Sequence, residues 1–516
     1  MVKFETKITK NAKKKGCYVN MTFTEFYQKF GLLKYPFNTF TTEDEREKGE
    51  LFVDPIDYAL IKDAFKNSRT IIMAGNRGTG KTAIVFDLMR NAPQNSFVLY
   101  IDDFASLPEQ PNNNDFYKLL CESLVNSLMS RAVDIKKGIS KLPKDDKLFL
   151  SQLIVNYMTT VTHQELNNKI EKIQLSAFSR FINRISKFIQ FVLNYGLSAA
   201  VKLFNSMFAN QFSLPIVETD SAISILPQVK ISIDTSFKNV DTSYALLTRI
   251  CQLIKHIGYS NVAVMLDKID EDSRFTNDGD QIALFIKPLL TDNKLLLCPD
   301  LQMAISLWSI PFDNLKSDIR TQKFYCPVLQ WQSEDLIRAF NQRVKVYSNE
   351  HVSKGFYDFF ADDISREDIE QLLVLANHNP RDLWHIFNAL FHKQYAIDAT
   401  RTVFTKDSLV KALADFVMNF NYYEYYPRKK NARRDSMDIY RYINHLLKLP
   451  NVEFTSNQLN SYAGTGSSTN NYIGSMQAMG LIVRTDAKIG TGVVYRINDP
   501  KVIYAIHMGL KIVRNQ

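Results

Sequence analysis

The stretch Thr70-Ile71-Ile72-Met73-Ala74-Gly75-Asn76-Arg77-Gly78-Thr79-Gly80-Lys81-Thr82 decides how this chain is read. Thr70 to Ala74 is a short apolar run of strand type, and Ala83 to Met89 reads as a helix. Between them, Gly75 to Thr82 match G-x-x-x-x-G-K-[ST] in full. The glycines allow backbone N–H groups to turn inward around an anion. The helix start adds a partial positive charge. Lys81 is placed to reach the β- and γ-phosphates of a nucleotide and Thr82 to ligate Mg²⁺. Gly75, Asn76, Arg77, Gly78, Thr79, Gly80, Lys81 and Thr82 are therefore expected to bind a nucleotide. The competing reading, a glycine-rich surface turn, does not require the flanking strand and helix.

Working outward, Ile56 to Phe65 reads as a helix and Phe97-Val98-Leu99-Tyr100-Ile101 as a buried strand, giving a βαβ rhythm and a parallel sheet. Val262-Ala263-Val264-Met265-Leu266 is another buried strand. Asp267 at its end supplies the carboxylate that a magnesium-bound nucleotide needs on the far side. Lys268-Ile269-Asp270-Glu271 follows, and Glu271 or Asp270 could orient water for hydrolysis; acids capping the next helix are the alternative. The Leu301–Leu307 run reads as a strand leading into Trp308-Ser309. Ser306 and Ser309 read more simply as strand-end serines than as phosphate sensors. Arg320 and Lys323 are candidate phosphate contacts, Arg320 as an arginine finger, against a solvated charge pair. Arg381, in Asn379-Pro380-Arg381-Asp382-Leu383, would start a helix and face a phosphate, or else pair with Asp382 or another acid. His378, His385 and His392 recur every seven residues on that helix. Metal binding on one helix prefers spacings of three or four, so packing is the better reading.

The chain has 516 residues, 45% apolar and 23% charged, which fits a soluble globular protein of two or three domains. Its net charge of +9 permits a polyanionic partner without requiring one. Five scattered cysteines without metal-ligand spacing indicate reduced thiols and a cytoplasmic protein. The basic N-terminus is followed by no close apolar run, which argues against a secretory signal. The most apolar stretch, between Lys187 and Lys202, is too short to span a bilayer, so no membrane is expected. Residues 1–50 read as a polar lead-in with an apolar island at Tyr35-Pro36-Phe37. Residues 51–330 form the α/β domain, with a helical insertion at about 110–245 carrying Phe178, Phe181, Ile185, Phe188 and Phe191 at helical spacing. Within it, Val229-Lys230-Ile231-Ser232-Ile233 alternates like a half-exposed strand. Residues 331–420 are helical, and a tyrosine-rich, then basic linker follows (Arg428, Lys429, Lys430, Arg433, Arg434). In 436–516, three helices and two strands around Gly490-Thr491-Gly492 describe a winged helix. Its third helix has no Arg or Lys, while the 428–434 cluster together with Arg484, Lys488 and Arg496 could hold a phosphate backbone, making DNA a candidate partner; a winged helix used for packing or as a lid on the nucleotide is the competing reading.

The chain from about Tyr35 resembles AAA+/STAND-type P-loop ATPases found in bacterial antiphage defence loci. Gly75–Thr82 is similar to their GxRGTGKT Walker A, and Asp267-Lys268-Ile269-Asp270-Glu271 resembles a NACHT-like Walker B. Pro380-Arg381-Asp382-Leu383 resembles the sensor 2 segment of origin-recognition ATPases. Val328-Leu329-Gln330-Trp331, with Leu336 and Arg343, resembles a segment of the defence ATPases. Trp308 departs from relatives that carry Arg after the sensor 1 strand. The resemblance implies an α/β fold, a P-loop NTPase parallel sheet with a helical insertion, then a helical lid and a winged-helix domain closing over nucleotide. It implies ATP rather than GTP, with Mg²⁺, slow or partner-regulated hydrolysis, a homo-oligomer, and a separately encoded effector protein in antiviral defence. The alternative is an origin-recognition-like DNA-binding ATPase in replication or transposition.

Overall fold

The computed structural model describes residues 21–46, 48–131, 135–147, 149–150, 153, 239–348, 354–428 and 438–514. The Phe178–Phe191 set, the Lys187–Lys202 stretch, the Val229–Ile233 run and Lys429–Arg434 lie outside these residues. Two compact units result. One combines residues 54–330 with 422–442; the other combines the chain up to Val53 with 331–421 and 443–516.

The first unit is mixed α/β around a four-stranded parallel sheet. Its strands are β1 (Ile71–Gly75), β2 (Ser96–Ile101), β3 (Asn261–Leu266) and β4 (Gln302–Trp308), in the order β1-β4-β3-β2. Every residue of β1 and β4 is buried, and all of β3 after Asn261. Such continuous apolar runs are what a parallel sheet covered on both faces requires. Beyond β1, the Tyr325–Leu329 segment runs parallel to the sheet edge. Ile72 N–H donates to Tyr325 O at 3.0 Å, Ala74 N–H to Pro327 O at 2.9 Å, and Leu329 N–H to Ala74 O at 2.8 Å.

Helices supply the covering layers. Lys81–Arg90 packs on β1 and β4, and Val240–Ile257 packs on Asn113–Ser130 and β3. Asn239 and Asn112 cap the last two, each accepting a backbone N–H through its side chain. Leu247, Ile250, Leu253 and Ile254 point one face of the Val240–Ile257 helix into the core. Each such side chain contributes about 1.5–3 kcal/mol through burial.

The second unit draws its core from the chain's beginning as well as its later helices. The polar reading of the lead-in misses Phe26 and Phe30, which like Phe37 of the apolar island are at most 1% exposed. Phe37 stacks on Phe340, Phe387 and Phe391, from the helices Ser333–Tyr347 and Pro380–Asp398. Arg343 ties the N-terminal segment down. It donates to Pro36 O at 2.7 Å and Thr39 O at 3.0 Å, and pairs with both Glu45 oxygens at 2.8 and 2.9 Å. The bidentate fork explains why this position needs arginine rather than lysine.

In the same unit, β5 (Glu453–Thr455), β6 (Ile482–Ile489) and β7 (Gly492–Ile497) form an antiparallel sheet in the order β5-β7-β6. The helices Ser456–Ala463, Thr469–Ala478 and Pro500–His507 accompany it. Strand β5 and the Pro500–His507 helix were not read from the sequence. Lys501, fully buried, pairs with Asp382 at 3.0 Å and lies 4.2 Å from the Phe420 ring centre. His385 stacks on Phe40 and His392 on Phe23. His378 is not on their helix: its φ of +59° places it in the turn before Pro380, where its Nδ1 lies 2.6 Å from Trp331 O. Among the described residues, no helix is long and apolar enough to cross a membrane.

Candidate nucleotide-binding site

Strand β1 ends at Gly75, and the chain turns through Asn76–Gly80 into the Lys81–Arg90 helix. Gly78 and Gly80 both hold φ of +83°, which costs a residue with a side chain about 1–2 kcal/mol. Gly75 is required for a different reason. A Cβ there would meet Thr79 Oγ1 at 2.7 Å and Leu329 Cβ at 3.3 Å, so the loop could not fold back over the strand end. Thr79 closes the turn by donating to Asn76 O at 2.8 Å.

Lys81 Nζ lies 3.0 Å from both Gly75 O and Asn76 O, so the ammonium is drawn back over the loop. Desolvation lowers its pKa, opposed by the nearby carboxylates of Asp270, Asp267 and Glu271. Those acids arrive from β3. The register pairs Leu266 with Ile305, which brings Asp267 level with Ser306 on the neighbouring strand. Ser306 Oγ donates to Asp267 Oδ1, and Tyr100 OH at the end of β2 donates to Asp267 Oδ2 at 3.3 Å. Asp267 is 1% exposed. Ser309 Oγ donates to Asn76 Oδ1 at 2.7 Å. Both serines thus sit against the loop or its facing carboxylate, although the sequence read them as ordinary strand-end serines.

After Asp267 the chain turns sharply, because Lys268 takes a left-handed conformation with φ of +60°. This reversal separates the next two acids. Asp270 is buried, and its Oδ2 pairs with Arg77 Nε at 3.0 Å while its carbonyl accepts from Arg77 Nη2 at 2.6 Å. Arg77 Nη1 donates to Asn277 Oδ1 at 2.5 Å, and the guanidinium lies 4.8 Å from the Trp308 ring centre. Glu271 is exposed. Asp270 is therefore committed to the loop arginine, while Glu271 faces solvent beside the same turn.

The donor set could accept a magnesium-bound polyphosphate: backbone N–H groups of the loop, the Lys81 ammonium, and Thr82 in the first helical turn. Thr82 and Asp267 are the oxygen ligands that a magnesium ion with several retained waters could take. Among the described residues no group of three or more His, Cys, Asp and Glu is placed for a metal. Arg320 is exposed beside the turn Thr321–Lys323, and Asp318, two residues before it, pairs with Lys287 at 2.7 Å. Arg381 belongs to the second unit, half-buried in the first turn of its helix, where its N–H donates to Asn379 Oδ1 at 3.0 Å. The acid beside it, Asp382, takes Lys501 as its cation.

Tyr100 and Asn277 were missed by sequence reading. Neither belongs to a motif, and only the fold brings them to Asp267 and Arg77.

No protein-family model matches this chain, and no curated protein matches it. Among solved structures, Drosophila ORC bound to DNA is similar over 96% of this chain and 94% of that chain, at 10% identity and a TM-score of 0.27.

Proposed function

We propose that this protein is an ATPase switch of the P-loop type, binding ATP–Mg²⁺ at Gly75–Thr82. One observation carries the reading. A strand, glycine loop and helix lead to Lys81 at a helix start, and Asp267 directly follows β3, which is separated from β1 in the sheet by β4 alone. When bound, magnesium neutralises phosphate charge. The chain's own residues do the rest. Lys81 exchanges two carbonyls for phosphate oxygens, and Thr82 and Asp267 hold the metal side. Glu271 orients the attacking water, since Asp270 is held by Arg77. Arg320 and Arg381 are proposed phosphate contacts, checked by whether alanine at either position weakens nucleotide binding or slows hydrolysis.

The test is the solution mass and ATP affinity of wild type and Lys81→Ala, each with and without ATP–Mg²⁺. Nucleotide-dependent assembly lost in Lys81→Ala is the expected result. Equal affinity in the two proteins would remove the reading. The AAA+/STAND assignment, an effector partner and a role in antiphage defence rest on the motif resemblance alone.

A DNA-binding ATPase is the second reading, with 436–516 as a winged helix. Arg484, Lys488 and Arg496 are exposed on its antiparallel sheet. It requires DNA affinity that falls steeply with salt and is lost on reversing these charges.

A further inference from the structure

The nucleotide loop is connected to a distant part of the same unit through Asn277. Beyond β3, Thr276 and Asn277 take consecutive left-handed conformations, with φ of +45° and +65°. Asparagine tolerates this region, but a β-branched threonine is an outlier there. Backbone strain of this kind persists only where surrounding contacts over-determine it. Asn277 makes such contacts on two sides. The Asn277 side chain accepts from Arg77 Nη1 at 2.5 Å and points its amide at Tyr423 O, 3.4 Å away. Its backbone carbonyl accepts from Arg428 N–H at 2.9 Å.

The segment it holds, 422–428, is the tyrosine-rich stretch that returns to this unit after the chain has built much of the other. Close packing marks the contact. A Cβ on Gly279 would meet Pro427 Cβ at 3.4 Å and Ile310 Cγ2 at 3.2 Å. The Arg428 guanidinium lies 3.5 Å from the Tyr423 ring centre. Tyr423 OH donates to Asp438, and Tyr422 N–H donates to Tyr440 OH at 3.2 Å, so the chain on both sides of 429–437 is tied together.

We propose that Asn277 is a positioning residue that couples nucleotide occupancy at Gly75–Thr82 to the 422–428 segment, through the chain Arg77–Asn277–Tyr423/Arg428. This rests on the nucleotide reading above. Lys81 is bonded to the carbonyls of Gly75 and Asn76, immediately before Arg77. Withdrawal of the ammonium toward phosphate releases those carbonyls and shifts the peptide that carries Arg77. Asp270 holds the guanidinium through both its Oδ2 and its carbonyl, whereas Asn277 meets it through Oδ1, so the movable end of the relay is Asn277.

The experiment is hydrogen–deuterium exchange of the Arg428 amide, with ATP affinity measured on the same samples. Wild type, Asn277→Gly and Asn277→Asp are compared with and without ATP–Mg²⁺. Glycine keeps the left-handed backbone and deletes the side chain; aspartate loses the donor to Tyr423 O but keeps the acceptor for Arg77 and the backbone bond to Arg428 that the exchange measurement reads. In wild type, ATP is expected to change exchange at Arg428 by about threefold or more. Asn277→Gly is expected to bind ATP within about threefold of wild type yet lose that change, and Asn277→Asp to retain it. The same ATP-dependent change in Asn277→Gly overturns the proposal, as does no change in a wild type that binds ATP. A wild type that binds no ATP overturns the nucleotide reading itself, and the affinity measurement makes that outcome distinct. If Asn277→Gly does not fold, Asn277→Asp and Gly279→Ala decide. Gly279→Ala, which presses on Pro427, must alter exchange at Arg428 without weakening ATP binding, or the proposal fails.

Discussion

Replacing Arg77 by alanine strands a buried carboxylate, and the cost can be worked from its surroundings. Arg77 and Asp270 side chains are 9% and 5% exposed and meet at 3.0 Å. Arg77 also serves Asp270 O and Asn277 Oδ1 and covers the Trp308 ring. Removing one partner of such a pair leaves the other charge desolvated, typically costing about 3–5 kcal/mol. Removing both with apolar residues of similar size is often neutral or stabilising, by up to about 4 kcal/mol. Arg77→Ala and Asp270→Ala are therefore each expected to lower the stability of the first unit by about 3–5 kcal/mol, and Arg77→Met/Asp270→Leu together by far less. Trp308 is the sole tryptophan of that unit, since Trp331 and Trp384 lie in the other. In a Trp331→Phe/Trp384→Phe background its fluorescence during urea titration reports this unit alone. Confining the signal to one unit avoids treating a two-unit chain as two-state. Single-variant losses under about 1 kcal/mol, or strict additivity in the double variant, would refute the buried pin. Asp270 would then be available for hydrolysis.

Further outcomes are expected. Glu271→Gln binds ATP as wild type does but hydrolyses it poorly in a phosphate-release assay; unchanged turnover transfers water orientation to Asp270. Ser306→Ala removes the donor from Asp267 Oδ1, and a lost hydrogen bond to a charged group, about 1.5–3 kcal/mol, should slow Mg²⁺-dependent hydrolysis roughly 10- to 150-fold. Full activity would return Ser306 to an ordinary strand-end serine. Burial holds the imidazoles of His385 and His392 below their ordinary pKa; beside this, Asp382 raises and Arg381 lowers that of His385, and Lys393 lowers that of His392. Because the folded value lies below the unfolded one, the unfolded chain protonates first as pH drops below about 6.5. The second unit therefore loses stability on acidification, and His385→Phe/His392→Phe should flatten the fall in melting temperature between pH 7 and 5. An equally steep fall in the double variant would contradict this. Lys501→Ala, which removes the buried cation paired with Asp382, should destabilise that unit by about 3–5 kcal/mol, and Lys501→Met with Asp382→Leu by much less.

By itself the sequence determined the parts whose information is local. The apolar runs ending at Gly75 and Asp267 state their strand identity, because a fully buried parallel strand needs unbroken apolar residues. The glycine spacing states the loop, because its left-handed turns exclude most other residues. Tertiary structure alone decided what those parts face. That Asp267 meets Ser306 follows from strand register, and register is set by pairing between segments far apart in the chain. The turn at Lys268, a residue that rarely takes φ above zero, separates Asp270 from Glu271 in a way that Lys-Ile-Asp-Glu does not announce. Asn277 carries no motif, and Phe26 and Phe30 sit in a segment whose average composition reads as polar. Their roles arise from which helix or loop the fold brings against them, and a long-range contact leaves no periodic trace in the chain that makes it.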